Sequence, residues 1–107
     1  MRETRVWQAL CKGCRTLGAL CEKWESPNRR GPPDAIVTPP GIPVEFVETK
    51  RPDGELEDHQ VRDHRRRRVR GHRVFVVYTL QQVADYVTGL ELRIKRAHGG
   101  KLPKVPR

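Results

Sequence analysis

The chain comprises 107 residues with a formal net charge of +9, and 33% of its residues are charged against 36% hydrophobic. This length fits one domain with a thin core and an extensively solvated surface. No apolar run approaches the roughly 20 residues of a transmembrane helix, and the first residues lack a signal-peptide core, so a membrane partner has only charge in its favour. The basic balance favours nucleic acid as the partner.

The first predicted element is a helix over residues 2–17, which Gly18 ends. Glu3 stands four residues before Trp7, near the start of this helix and along its apolar stripe. It is either a solvent-facing acid that suits the helix dipole or an acid that faces a metal site, and the residues alone leave both open. The stripe recurs at three- and four-residue spacing and consists of Val6, Trp7, Leu10, Cys11, Cys14 and Leu17.

Three strands and a basic loop follow the first helix. Residues 19–24 alternate weakly and predict a strand in which Lys23 faces the site. Residues 26–33 are rich in Pro, Gly and Arg, and Arg29 with Arg30 gives this loop a basic tip suited to phosphate contacts. Strands over residues 34–38 and 44–50 lie on either side of a proline-rich turn, since three prolines cannot continue a ladder.

The second half predicts a helix, a strand and a last helix. The helix over residues 56–70 ends at Gly71 and carries the basic run Arg65, Arg66, Arg67 and Arg68, which we expect to contact phosphate. A nearly continuous apolar strand over 73–78 belongs in the sheet centre or between two layers, and a helix over 80–97 follows. The tail over 98–107 is basic and predicted to be mobile. The order predicts one mixed α/β domain with a right-handed crossover to the fourth strand.

Two carboxylates and a lysine lie at the ends of neighbouring predicted strands. Asp34 opens the second strand, and Glu48 and Lys50 close the third. Because residues two apart share one face of a strand, Glu48 and Lys50 point the same way while Glu45 points the other. Carboxylate oxygens completed by a carbonyl and waters suit Mg²⁺, and a lysine beside them can hold a water or a phosphate oxygen. The pattern therefore favours metal-dependent phosphodiester hydrolysis.

These residues resemble a known nuclease family. Pro33-Asp34 followed by Glu48-Thr49-Lys50 is similar to the PD-(D/E)xK superfamily, and the segments SPNRRGPPD, FVETKRPDGEL, Gln60 and GHRVFVV narrow the resemblance to its VRR-NUC branch. The resemblance covers residues 3 to about 87. It implies a restriction-endonuclease-like αβββαβ core, here with an additional C-terminal helix, and a single nuclease domain over residues 1–97.

The resemblance also implies roles for individual residues. Lys50 matches the catalytic lysine that positions the attacking water, and Gln60 matches a glutamine that faces the site. Thr49 fills a slot usually apolar, and we expect its side chain to face away from the site. The implied ligands of Mg²⁺ or Mn²⁺ are Glu3, Asp34, Glu48 and the Thr49 carbonyl.

The small stand-alone members of this family imply partners and a compartment as well. They resemble Holliday-junction resolvases, so a homodimer that cuts branched DNA is expected, with no small-molecule cofactor. Water activated beside the metal would attack phosphorus in line. The family members imply a bacterial or phage-infected host cell, and three cysteines without an export signal favour its reducing cytoplasm.

Three other interpretations remain open. Cys11-x-x-Cys14 with Cys21 could suggest zinc, but no second close Cys or His pair follows, so buried thiols are favoured. A non-catalytic DNA-binding module would gain nothing from two acids that repel phosphate. A nuclease that acts on RNA is the third. His64 follows Gln60 on one helix face and could approach DNA.

Overall fold

A computed structural model describes the backbone of residues 2–24 and 33–105 and the side chains of 5–24 and 33–105. The predicted order of elements is confirmed, and the predicted bounds are at most a residue or two too wide. Gly18, at φ 79°, follows α1 in the left-handed conformation that suits glycine. The elements are α1 Arg2–Thr16, β1 Leu20–Lys23, β2 Ala35–Thr38, β3 Glu45–Thr49, α2 Asp58–Arg68, β4 Val74–Val77 and α3 Leu80–Ala97.

The four strands form one sheet in the order β1-β2-β3-β4. β1, β2 and β3 are antiparallel neighbours, and β4 runs parallel to β3 after the crossover through α2. β4 is therefore an edge strand, so a place in the sheet centre was the wrong alternative. Its apolar run fits the other alternative, because α3 and α2 both contact it.

The apolar core lies between the sheet and helices α1 and α3. Val47 on β3 is fully buried there, and it pairs with Ala35 on β2. Alternation along each strand places the remaining inward residues on this same face. The buried apolar residues that helices contribute are Val6, Leu10, Cys14 and Leu17 from α1 and its end, and Val83, Tyr86, Leu90 and Ile94 from α3.

A buried charged group also lies on this face of the sheet. Glu45 is 0% exposed and accepts hydrogen bonds from the Tyr86 hydroxyl at 2.8 Å and from Arg93 Nε and Nη2 at 2.7 and 2.8 Å. Burial and the adjacent carboxylate raise the pKa of Tyr86. Alternation predicted that Glu45 points away from Glu48, and here it ties β3 to α3.

Helix α2 covers the other face with few apolar contacts. Its start is a capping box in which Glu57 N donates to Gln60 Oε1 at 2.9 Å, and its last turn is basic, which suits the helix dipole. Val61 and Val69 are largely exposed. Polar and aromatic contacts therefore contribute much of the packing of this helix against the sheet.

The three cysteines are free thiols. Cys11 Sγ lies 3.6 Å from Cys21 Sγ, and Cys14 is buried in the core. Burial, together with Cys21, raises the pKa of Cys11 to about 12. At neutral pH the Cys11 thiol is therefore protonated, and the three cysteines pack as small apolar side chains.

Two further features bear on partners and domain limits. Over residues 2–24 and 33–105, no helix has the length and apolar character needed to cross a bilayer. Leu102, Pro103 and Val105 of the tail line a cavity of about 580 Å³ with the turn that joins α1 to β1. The mobility of the tail and the domain limit at residue 97 stay predictions.

Candidate active site

Two carboxylates meet where β2 begins and β3 ends. Asp34 lies directly before β2, and because Ala35 pairs with Val47, the next pair along the ladder sets Asp34 opposite Glu48. Asp34 Oδ2 accepts from Thr49 N and from Thr49 Oγ1, both at 2.9 Å. The expectation that the Thr49 side chain is turned away from the site is therefore wrong, because its hydroxyl reaches the acid at the strand start.

Glu48 is a buried acid with too few hydrogen bonds. It is 2% exposed, and its Oε2 accepts one long bond of 3.4 Å from Gln60 Nε2. Its Oε1 lies 3.6 Å from His64 Nε2, and among the described residues this oxygen has no hydrogen-bond partner. Burial raises the pKa of Glu48, His64 opposes the rise and the negative charge of Asp34 adds to it.

Gln60 and His64 reach Glu48 from one face of α2, one turn apart. The Gln60 amide is held at both ends, since its oxygen accepts from Glu57 N while its nitrogen donates to Glu48. His64 is 0% exposed, and neither ring nitrogen finds a hydrogen-bond partner within the part of the chain described. The four-residue spacing placed His64 on the face of Gln60 as a residue that could approach DNA, whereas it is buried against Glu48, a contact that sequence reasoning missed.

Lys50 follows Glu48 by two residues, just beyond β3. Its backbone N–H donates to the Val77 carbonyl at 2.9 Å, which continues the ladder with β4 past the last strand residue. Strand alternation then sets the half-buried Lys50 side chain on the Glu48 face. The structure thus brings Asp34, Glu48 and Gln60 together, and Lys50 follows Glu48 on the same face of the chain.

The acids present suit a hard divalent cation. Such a cation needs only a few carboxylate oxygens and a carbonyl, with waters completing its shell. Asp34 and Glu48 can supply the first, and the unpartnered Glu48 Oε1 is a buried acceptor that a cation would satisfy. No cluster of three His, Cys, Asp or Glu occurs among the side chains at 5–24 and 33–105, and the Glu3 side chain lies outside the described residues.

The predicted DNA-contacting residues occupy different environments. Lys23 Nζ lies 5.4 Å from the centre of the Trp7 ring, on the α1 side of the sheet, so the expectation that this side chain faces the site with Glu48 is wrong. Arg29 and Arg30 lie outside the described residues. Their roles in DNA binding stay predictions.

The basic run on α2 divides in two. Arg65, Arg66 and Arg68 are exposed and Arg67 is half-buried. Arg67 binds Asp63 at 2.8 Å, and Arg68 Nη2 donates to the Val74 carbonyl at 2.7 Å. The charges of Arg67 and Arg68 are thus partly used within the fold. DNA binding by the run as a whole stays a prediction.

The chain is similar to known proteins in sequence and in fold. No protein-family model matches the chain. It is 36% identical over 77 residues to "Putative nuclease p44" of Acyrthosiphon pisum secondary endosymbiont phage 1, covering 72% of this chain and 83% of that protein. A solved structure of a VRR-NUC domain has 35% identity and a TM-score of 0.77, over 82% of this chain and 96% of that one. The chain belongs to the VRR-NUC family.

Membership in the VRR-NUC family confirms the resemblance stated from the motifs and the mixed α/β fold with four strands and three helices. At this level of identity the likeness concerns the sequence as well as the fold. Within this VRR-NUC fold, Asp34 and Glu48 form the candidate active site.

Proposed function

We propose that this VRR-NUC protein is a metal-dependent nuclease that hydrolyses phosphodiester bonds in branched DNA. The observation that carries the proposal is the facing pair Asp34 and Glu48, with one buried glutamate oxygen unpartnered among the described residues. Two acids placed together and partly buried are costly to a fold unless a cation compensates them. The net charge of +9 supports a polyanionic substrate, and the nuclease name of the phage relative agrees with it.

Each residue has a definite task in this proposal. Asp34 and Glu48, with the Thr49 carbonyl and Glu3, would hold Mg²⁺ or Mn²⁺. When bound, that cation would supply Lewis acidity and neutralise charge on the phosphoryl oxygens. Lys50 would hold a water for in-line attack on phosphorus, and its ammonium would stabilise the negative charge that develops there.

Gln60 is a positioning residue in this scheme. Its amide is fixed by Glu57 N and donates to Glu48 Oε2, so it holds the carboxylate in one orientation. His64 is fully buried and packs beside the other oxygen, with its Nε2 at 3.6 Å from Glu48 Oε1. A preorientated acid costs less to arrange when the metal binds, which is the usual benefit of a supporting shell of residues.

Selectivity for branched DNA, a homodimer and a cytoplasmic location belong to the same proposal. Their support is the family resemblance, the thin core, the basic charge and the absence of disulfides among three cysteines. Branched DNA brings several phosphate backbones close together, so it offers a basic protein more contacts than a linear duplex of equal length.

The test compares four-way junction, flap, linear duplex and single-stranded DNA with Mg²⁺, with Mn²⁺ and with EDTA. We expect metal-dependent cutting of the branched substrates. Lys50→Ala should abolish cutting while it retains DNA affinity, because the lysine serves the chemical step. Absence of metal-dependent cutting on every substrate would reject the enzyme, and unchanged cutting by the lysine variant would reject its role. Binding without cutting would favour a DNA-binding module.

A further inference from the structure

A basic cleft lies beyond the carboxylates, between the end of β1 and the C-terminal part of α2. It has a volume of about 210 Å³. Trp24, which follows β1, forms one wall, and α2 with the turn after it forms the other. The lining residues are Trp24, Asp63, Arg66, Arg67 and Arg70.

Arg67 makes the floor of this cleft rigid. Its guanidinium carbon lies 4.5 Å from the centre of the Trp24 ring and 4.8 Å from that of Phe46. Its Nε and Nη2 donate to both oxygens of Asp63, at 2.8 and 3.3 Å. Because Asp63 is 4% exposed and held by two bonds, its charge is compensated within the fold.

Arg66 and Arg70 are the cations that remain available at the mouth. Both are exposed, and Arg70 Nη1 donates to the backbone carbonyl of Arg66 at 2.8 Å, which fixes the Arg70 side chain against the end of α2. Among the lining residues, three arginines face one aspartate, so the cleft carries a net charge of +2. Two exposed guanidinium groups that line one cleft, above a third that is held by Asp63, are suited to a phosphodiester oxygen.

We propose that this cleft is a phosphate-binding subsite for the nucleic-acid backbone, separate from the carboxylates. The inference rests on the proposed function for its substrate. Gln60 and Arg67 are seven residues apart on α2, which is about 10 Å along the helix. Phosphates of one strand are spaced about 3.4 Å along a duplex axis, so a separation of about 10 Å places the subsite within about three phosphates of the bond that is cut.

The inference also divides the arginine run by role. Arg67 positions α2 against the sheet and contributes charge from inside the fold. Arg66 and Arg70 contact the phosphate directly. Arg70 lies beyond the helix and outside the run that the sequence singled out.

The first experiment measures DNA affinity in EDTA, where no cutting occurs. Fluorescence anisotropy with a labelled four-way junction gives Kd between 50 and 200 mM salt for the parent and for Arg66→Gln/Arg70→Gln. The matched control, Arg5→Gln/Arg96→Gln, removes the same charge from exposed positions on α1 and α3. Loss of one phosphate contact should reduce the slope of log K against log salt by about 0.9. The control should keep the parent slope.

The second experiment locates the phosphate. Single methylphosphonates are placed along the strand that is cut, and a neutral linkage within about three positions of the cut should weaken DNA binding by the parent protein. The same neutral linkage should not weaken DNA binding by Arg66→Gln/Arg70→Gln any further. Equal slopes for the cleft variant and the parent, or an equal loss in the control, would overturn the inference. If no substrate is cut, the proposed function is rejected, and the salt slopes still test the phosphate subsite on their own.

Discussion

Replacement of Arg93 by Met should destabilise the fold strongly while leaving the candidate active site intact. Arg93 donates two hydrogen bonds to Glu45, which is 0% exposed, and Tyr86 donates the third. Methionine preserves the length and the apolar stem of the arginine. It leaves a buried carboxylate without its close cation, because the remaining Arg73 Nη1 lies 4.0 Å away on a half-exposed side chain. Removing one partner of a buried ion pair is costly because the other charge stays buried.

The magnitude follows from this loss. Breaking a buried pair by removing one partner costs about 3–5 kcal/mol, and the retained Tyr86 bond favours the lower end, about 3 kcal/mol. A domain of this size has a total stability of about 5–15 kcal/mol, so the loss is a substantial part of it. About 4 °C or more in Tm per kcal/mol then gives a decrease of roughly 12 °C or more.

Urea and thermal unfolding followed by circular dichroism measure the effect. The double variant Glu45→Gln/Arg93→Met removes the stranded charge as well, and we expect it to recover at least half of the loss. DNA affinity at 10 °C or so should match the parent, because Glu45 and Glu48 lie on opposite faces of β3. A loss below about 1 kcal/mol for Arg93→Met would refute the reasoning, as would a double variant no more stable than the single.

Two further predictions concern the site itself. Burial raises the pKa of Glu48, so the folded state binds the proton more tightly than the unfolded state, and stability falls as pH rises from about 4.5 through the folded pKa. Glu48→Gln should therefore be more stable than the parent in EDTA at pH 8, and this difference in stability should shrink towards pH 4. Thermal unfolding between pH 4 and pH 8 measures it, and a difference that grows on acidification would contradict the prediction. Thr49→Val removes the hydroxyl that donates to Asp34 and should cost on the order of 1 kcal/mol, since water can replace it at this half-buried acid. Thr49→Ser should retain parental stability in urea unfolding, and equal losses in both variants would exclude the hydroxyl as the cause.

The sequence predicted the framework well because the framework depends on periodicity. Apolar spacing marks α1 and α3, and short apolar runs between turns mark the strands. The third strand then fixes which side chains share a face, so Glu45 and Glu48 could be separated from the sequence alone. These elements pack by burying apolar area, and apolar burial is the contribution to folding that sequence patterns report most directly.

Helix α2 shows where this reasoning stops. Its apolar content is poor, so periodicity could not say which of its residues face the sheet. The contacts of Arg67 with Trp24 and Phe46 join residues more than 20 positions apart, and they depend on how the strands are paired. The burial of His64 behind Glu48 has the same origin, since a histidine in a basic run looks solvent-exposed until the sheet is assembled.

Thr49 is a case in which a correct rule gave a wrong contact. Alternation turns its side chain to the face opposite Glu48, and that much is sound. Asp34, however, lies in the bend before β2, where strand alternation does not govern the direction of a side chain. Its carboxylate therefore reaches the Thr49 hydroxyl as well as the backbone N–H.

The two buried glutamates of β3 show how one strand serves stability and chemistry at once. Glu45 has a full complement of donors, including a guanidinium, so its charge is compensated by the fold. Glu48, three residues later, has one long amide bond and an imidazole at 3.6 Å, and its pKa is raised. A fold that can supply Glu45 with an arginine could have done so for Glu48. The lack of a close cation for Glu48 among the described residues is therefore the physical reason to propose the α2 face of the sheet as the place of the chemistry.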